Sequence, residues 1–199
     1  ATHKALNPEI IKLLGDKELV SEAFSQGHRN GQFILRPETG TYHHTAQLMM
    51  ESVVAKRLKT LATIKDEDES VFKALTEAVL ELPYDLTEQQ IEAVESSLTN
   101  AVSCITGGAG TGKTTVLRTV LKAYDSLGYE VHAVALSGRA AMRLHESIGF
   151  FTMTIARLLR EEPISPSLTQ PKHLLVIDES SMIDLPTMYR LVAHLNPNV

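Results

Sequence analysis

The residues Gly107–Thr115, GGAGTGKTT, carry the clearest chemistry in this sequence. Gly107, Gly112, Lys113 and Thr114 occupy the fixed positions of the pattern G-x-x-x-x-G-K-[ST], with Gly108, Ala109, Gly110 and Thr111 between them and Thr115 behind. Glycines let a backbone curl until successive N–H groups point inward, which suits them to phosphate oxygens. A helix opening at the end of the loop adds positive potential at the same place. On this reading the loop holds a nucleoside triphosphate. Lys113 meets the β- and γ-phosphates, and the Thr114 hydroxyl is placed to bind Mg²⁺. The alternative is a chance glycine-rich turn, and the apolar stretch before the loop and the helix-forming stretch after it argue against that.

A second cluster complements the first. LLVIDESSM (Leu174–Met182) places four apolar residues before two acids. Asp178 is expected at the carboxyl end of a central parallel strand, where α/β sheets bind ligands. There it would hold Mg²⁺ through water, and Glu179 would polarise the attacking water as general base. A helix-capping role is the bland alternative for such an acid.

Two further segments are open to two readings each. In LTEQQ, Thr87 and Gln90 fit a T-x-x-Q capping box. The Gln90 amide also has the donor and acceptor needed to read an adenine edge. In ALSGRAAMRL, Ser137, Gly138 and Arg139 sit where a strand meets a helix. They could grip a phosphate backbone, or form a tight turn with a solvated arginine. His43 and His44, with His28 nearby, make a poor metal site. Neighbours on a strand face opposite ways, and no Cys or carboxylate joins them at ligand spacing.

Positioning these residues requires an ordered scaffold, and the alternation after residue 85 predicts one. Strands are expected at Ala101–Thr106, Glu130–Leu136 and His173–Asp178. Helices are expected from Thr87, after the glycine-rich loop to about Gly128, over GRAAMRLHESIG, over TIARLLRE and over LPTMYRLVAHL. The fold class is therefore α/β: a parallel sheet with helices on both faces. PISPSLTQPK reads as a loop. Before residue 85 the chain reads as a small, mainly helical α+β domain, giving a division into 1–84 and 85–199. Asn7 is expected to cap a first helix with Pro8 at its first position and Gly15 at its end. A helix over about Lys17–Gln26, a hairpin around Pro-Glu-Thr-Gly, and helices over about Ala46–Leu61 and Val71–Leu80 follow, with charged KDEDES between the last two. Helix, helix, hairpin is the outline of a winged-helix module, and of many other small α+β units.

Bulk properties set few limits. The chain has 199 residues, 43% of them hydrophobic, a net charge of −5 and one cysteine. An internal disulfide is excluded, and a lone thiol suits a reducing cytoplasm. Cys104 is expected as a small core residue on its strand. No apolar run approaches the roughly 20 residues of a membrane helix, so no membrane partner is expected. The acidic balance alone speaks weakly against a nucleic-acid partner, although an acidic protein can carry a basic groove.

Taken in order, LTEQQIEAV, GGAGTGKTT, ALSGRAAMRL, TIARLL and IDESSMID resemble the RecD-like helicases of superfamily 1, the group that includes the exodeoxyribonuclease V alpha subunit. The resemblance covers about Leu86–Leu195. It implies a RecA-like motor that uses ATP and Mg²⁺ to move 5′ to 3′ along single-stranded DNA in recombination and repair, and other subunits of a helicase–nuclease complex as partners. It implies that Gln90 reads adenine, and that Gly112, Lys113 and Thr114 bind the triphosphate. Asp178 and Glu179 match the family's Mg²⁺-binding and water-activating acids. Ser137, Gly138 and Arg139, and then Thr154, match two blocks that touch the DNA strand. Departures stand at Ala109 and Ala156, where the family has proline and histidine, and at ALSG, where it has APTG. The alternation predicts a strand after the last helix, so NPNV reads as a cut. Later family motifs would lie beyond Val199, and on that expectation the chain alone binds ATP and turns it over slowly.

Overall fold

A computed structural model describes residues 2–64, 68–163 and 172–195, in two compact units, 1–54 and 55–199. In the first unit, α1 (His3–Leu14) starts at Thr2, whose hydroxyl accepts from the Ala5 amide at 3.3 Å. The expected start at Asn7 and Pro8 is thus corrected. The helix runs through Pro8, which leaves the Lys4 carbonyl without its usual donor. Gly15 ends α1 in the left-handed conformation, as expected. Asp16 caps α2 (Lys17–Arg29), accepting from Glu18 at 2.7 Å. The hairpin forms from β1 (Phe33–Arg36) and β2 (Thr41–His44), antiparallel with Phe33 opposite His44. Phe24, Phe33 and Tyr42 build a small core, with ring centroids 5.0 to 5.9 Å apart. The long helix α3 (Thr45–Ala62) begins in this unit.

The second unit holds α4 (Glu69–Leu80), α5 (Glu88–Thr99) and α6 (Lys113–Ser126), then β3 (Glu130–Ala135), α7 (Gly138–Ile148) and β4 (Thr152–Thr154). The short α8 (Ile155–Leu158), β5 (His173–Ile177) and α9 (Leu185–His194) complete it. The expected boundary at residue 84 is not where the packing divides. Val71, Ala74 and Ala78 of α4 share one core with Val94 and Leu98 of α5 and Val116 and Val120 of α6. Cutting at 84 would strip α4 from that core, where each fully buried Val or Leu contributes about 1.5–3 kcal/mol.

The sheet is parallel, three-stranded and ordered β4-β3-β5, with Ala135 beside Thr154 and Val134 beside Ile177. Helices cover both faces, as expected. Val131, Ala133, Leu174 and Val176 pack with Leu121 of α6 and Leu144 and Ile148 of α7. Val134, Met153, Leu175 and Ile177 pack with Leu158 of α8 and Leu191 of α9. Strand β4 was not anticipated, because three residues are too few to show alternation.

The expected strand at Ala101–Thr106 does not form. Among the described residues no strand lies beside it, and a strand exists only through the ladder it shares with a neighbour. Ile105 alone still packs against the α4–α6 core. Cys104 is exposed, which corrects its placement in a core. The charged break over 65–67, the Pro- and Ser-rich loop over 164–171 and the NPNV end over 196–199 fall outside the described residues.

Candidate functional site

Helix α6 leads from the glycine-rich loop to the start of β3, packing along the sheet face as it goes. Its C-terminus meets the amino end of β3, so its N-terminus lies toward the carboxyl edge of the sheet. Asp178 follows β5, Ser137 follows β3 and Thr154 ends β4 at that same edge. Parallel topology thus gathers segments far apart in sequence onto one side of the molecule.

The loop has the backbone that its glycines suggest. Gly110 and Gly112 are left-handed, with φ of 75° and 81°, and Gly112 is the N-cap of α6. Gly112 has no side chain to cap that helix end, which suits its first amides to an anion. Thr111 Oγ1 donates to the Gly108 carbonyl at 2.9 Å and closes the turn. Lys113 Nζ donates to the Gly107 and Gly108 carbonyls at 2.8 and 2.5 Å. Its ammonium therefore lies across the loop. Thr114 is exposed in the first turn of α6, with Thr115 behind it.

Of the two readings of Gln90, the capping box is seen directly. The capping box is present: Thr87 Oγ1 accepts from the Gln90 amide at 3.3 Å, and Gln90 Oε1 accepts from the Thr87 amide at 3.0 Å. Gln90 Nε2 then reaches across 21 residues to donate to the Thr111 carbonyl at 3.2 Å. A Cβ on Gly112 would collide with Nε2. The cap of α5 is therefore tied to the loop, and one amide hydrogen and one oxygen lone pair of Gln90 remain for a ligand.

Asp178 is half-buried, and its Oδ1 accepts from the Glu179 amide at 3.0 Å. Glu179 is the single non-glycine residue with positive φ among those described, at φ 50° and ψ 42°. It opens a 3-10 turn, Ser180–Met182, and its carbonyl accepts from the Met182 amide at 3.0 Å. An L-residue held in this region carries strain, and such strain gathers at functional sites. The next helix, α9, is capped by Asp184. The Thr187 side chain and amide hold that carboxyl below its ordinary range.

Ser137 caps α7, accepting from Ala140 at 3.2 Å, and Thr154 caps α8, accepting from Arg157 at 3.2 Å. Each hydroxyl keeps its proton for donation outward. Gly138 and Thr154 line one cavity of about 380 Å³, with Met142, Phe151 and Arg157. Arg139 is exposed at the start of α7. The Arg157 guanidinium lies 5.5 Å from the Phe151 ring centroid. Sequence reasoning missed Phe151 and Arg157. The available signal was the spacing, since Arg157 stands three residues beyond Thr154, on the same side of a helical turn.

The donors present suit a magnesium triphosphate. The cradle has no room for a Cβ at Gly112, or at Gly107, where one would stand 2.7 Å from Thr111 Oγ1. Thr114 and Asp178 offer the hard oxygens that Mg²⁺ takes. Lys113 and the α6 N-terminus offer the positive charge that phosphates require.

Known proteins resemble the chain across the residues of this site. The pattern of the AAA domain family matches residues 85–198. The ATP-dependent RecD2 DNA helicase of Deinococcus radiodurans is 35% identical over 119 residues, 56% of this chain and 16% of the relative. The RecBCD enzyme subunit RecD of Haemophilus influenzae is 33% identical over 172 residues, 71% of this chain and 26% of the relative. The conjugal transfer protein TraA of Agrobacterium fabrum is 26% identical over 179 residues, 89% of this chain and 15% of the relative. The chain thus spans about a quarter or less of the length of these curated relatives. No helix among the described residues is long and apolar enough to cross a membrane. The match over residues 85–198 makes the chain a member of the AAA domain family, a nucleotide-binding domain related here to RecD-type helicases.

Proposed function

We propose that this chain binds ATP with Mg²⁺ and serves as the motor part of a DNA helicase or translocase that moves 5′ to 3′ along a single strand. The observation that carries the reading is the placement of the Gly107–Thr115 loop and the Asp178–Glu179 pair at one edge of a parallel sheet, with Glu179 held in a strained conformation. The name of one relative, an ATP-dependent RecD2 DNA helicase, points the same way.

Each residue then has a task. Lys113 exchanges the loop carbonyls for the β- and γ-phosphates. Thr114 and Asp178 hold the cation, which when bound offsets charge on the phosphate oxygens. Glu179 orients a water and takes its proton. Gln90 offers its spare donor and acceptor to the adenine edge. Ser137, Gly138, Arg139 and Thr154 meet the DNA backbone across the α7–β4 cavity. Further subunits of a helicase–nuclease complex are proposed as partners, since one relative is named as a subunit of the RecBCD enzyme.

ATP turnover of the full-length protein, with and without single-stranded DNA, tests this reading. Turnover should rise severalfold with DNA, and Lys113→Ala should abolish nucleotide binding. Unchanged turnover on adding DNA would refute the motor. The rival idea of a nucleotide switch is separated by Glu179→Gln, which should stop a motor while a switch keeps its partner. A motor acting in conjugal transfer is a second reading, favoured by the TraA similarity over 89% of the chain. Deleting the gene and scoring DNA-damage survival against conjugation frequency distinguishes the two.

A further inference from the structure

The amino edge of the sheet, opposite the nucleotide loop, carries a second cluster. Glu130 and His132 are two apart on β3 and share a face. His173 opens β5 directly opposite Glu130 in the register. All three therefore stand on the face that α8 and α9 cover. His132 Nε2 and His173 Nδ1 are 3.1 Å apart. Glu130 Oε1 is 3.6 Å from His132 Nε2, and Glu130 Oε2 is 3.6 Å from His173 Nδ1.

From these positions we propose that Glu130, His132 and His173 form a binding site for one first-row divalent cation, Zn²⁺ above all, separate from the nucleotide site. Ligands at zinc's usual bond lengths of about 2.0–2.2 Å in tetrahedral array stand roughly 3.3–3.5 Å from one another. The two imidazole nitrogens, 3.1 Å apart, and the two Glu130 oxygens, each 3.6 Å from a different one of them, lie within a few tenths of an ångström of that spacing, so the carboxylate faces the pair with both oxygens. A pair of imidazole nitrogens and a carboxylate is a donor set for zinc and similar borderline ions rather than for Mg²⁺. The backbone supplies the preorganisation. Each ligand rises from a hydrogen-bonded strand, so little entropy is lost on binding.

Burial and charge agree. The His132 and His173 side chains are 12% and 10% exposed, while Glu130 is 54% exposed, leaving one side open for a fourth ligand. Glu161, itself paired with Arg157 at 3.6 Å, adds only a small negative contribution at His132. A cation held here would fasten the amino ends of β3 and β5 together. It would lock the register that carries Asp178 to the opposite edge.

The test uses the 199-residue chain, stripped of metal, without nucleotide and in excess Mg²⁺ to occupy oxygen sites. Zn²⁺ is titrated against a chromophoric chelator, and Co²⁺ is followed by its visible spectrum. One ion per chain should bind more tightly than about 1 μM, with the intense Co²⁺ bands of a tetrahedral site. Zn²⁺ at a hundredfold excess over its dissociation constant should raise Tm by about 5–10 °C. Glu130→Gln, on an exposed side chain, should keep the fold and weaken binding more than about tenfold. His132→Ala and His173→Ala should abolish it, and His43→Ala should leave it unchanged. Absence of stoichiometric Zn²⁺ in the unaltered chain, or binding undiminished in Glu130→Gln and the two histidine variants, overturns the site. ATP turnover does not enter the readout, so failure here is distinct from failure of the motor reading.

Discussion

Glu179 allows backbone strain and chemistry to be separated by two substitutions. Its φ of 50° and ψ of 42° place it in the left-handed region, which costs an L-residue roughly 1–2 kcal/mol. Glycine sits there without that cost but gives up about 0.5–1 kcal/mol of backbone entropy on folding. Glu179→Gly should therefore stabilise the chain by about 0.5–1 kcal/mol, although a glycine at most exposed positions destabilises. For a chain of this size that is a rise in Tm of about 1–4 °C. The Met182 amide keeps its acceptor, because that acceptor is the residue 179 carbonyl. Glu179→Gln retains the strain and should leave stability within about 0.5 kcal/mol. If the carboxylate is a general base, both variants lose about 10²–10⁴-fold in ATP turnover. Differential scanning calorimetry and a DNA-stimulated ATPase assay read the two quantities independently. A lower Tm for Glu179→Gly together with normal turnover for Glu179→Gln would refute the argument that strain is kept at this position for the sake of chemistry.

Other substitutions probe the loop and its support. Gly112→Ala puts a Cβ against Gln90 Nε2 at a φ of 81°, and should cost about 1–2 kcal/mol and weaken binding of a fluorescent ATP analogue more than tenfold. Thr87→Ala removes the hydroxyl that accepts from the Gln90 amide. It should cost about 1 kcal/mol in urea unfolding and, under the proposed role of Gln90, reduce the preference for ATP over GTP. In metal-free protein, burial holds the His132 imidazole below its ordinary 6.5, against the opposing pull of Glu130 and Glu161 and with His173 beside it. The unfolded chain then binds the proton more readily. Stability is complete above pH 6.5 and is lost as pH falls from there through the folded pKa. His132→Asn should flatten that part of a profile of urea midpoint against pH, and an unaltered slope would count against it.

How much of this was legible in the sequence depended on the range of the interaction behind each feature. The Thr87–Gln90 capping box is local, so residue type and spacing sufficed. The apolar run at Ala101–Thr106 has strand composition, yet composition cannot supply the neighbour whose hydrogen bonds make a strand. Start signals compete in the same way. Thr2 caps α1 five residues before Asn7, and Pro8 is absorbed in the helix. The division of the chain was equally non-local. The helical character of α4 was read correctly, but its partners are α5 and α6, on the far side of the expected boundary.

The cluster at Glu130, His132 and His173 shows the same limit more sharply. Two of its members lie at strand spacing in EVHAVAL, and the third lies 41 residues beyond His132. Nothing in the sequence sets the register that places His173 opposite Glu130. Once β3 and β5 pair in parallel, one register sets both ends of the strands together. The pairing that puts Ile177 beside Val134, and so carries Asp178 to the edge near the glycine-rich loop, also puts His173 beside Glu130 at the other. A slip of one residue would turn Asp178 and the apolar side chains of β5 to the wrong faces. Residues that favour the correct pairing at the amino edge therefore bear on the geometry of the carboxyl edge without approaching the nucleotide.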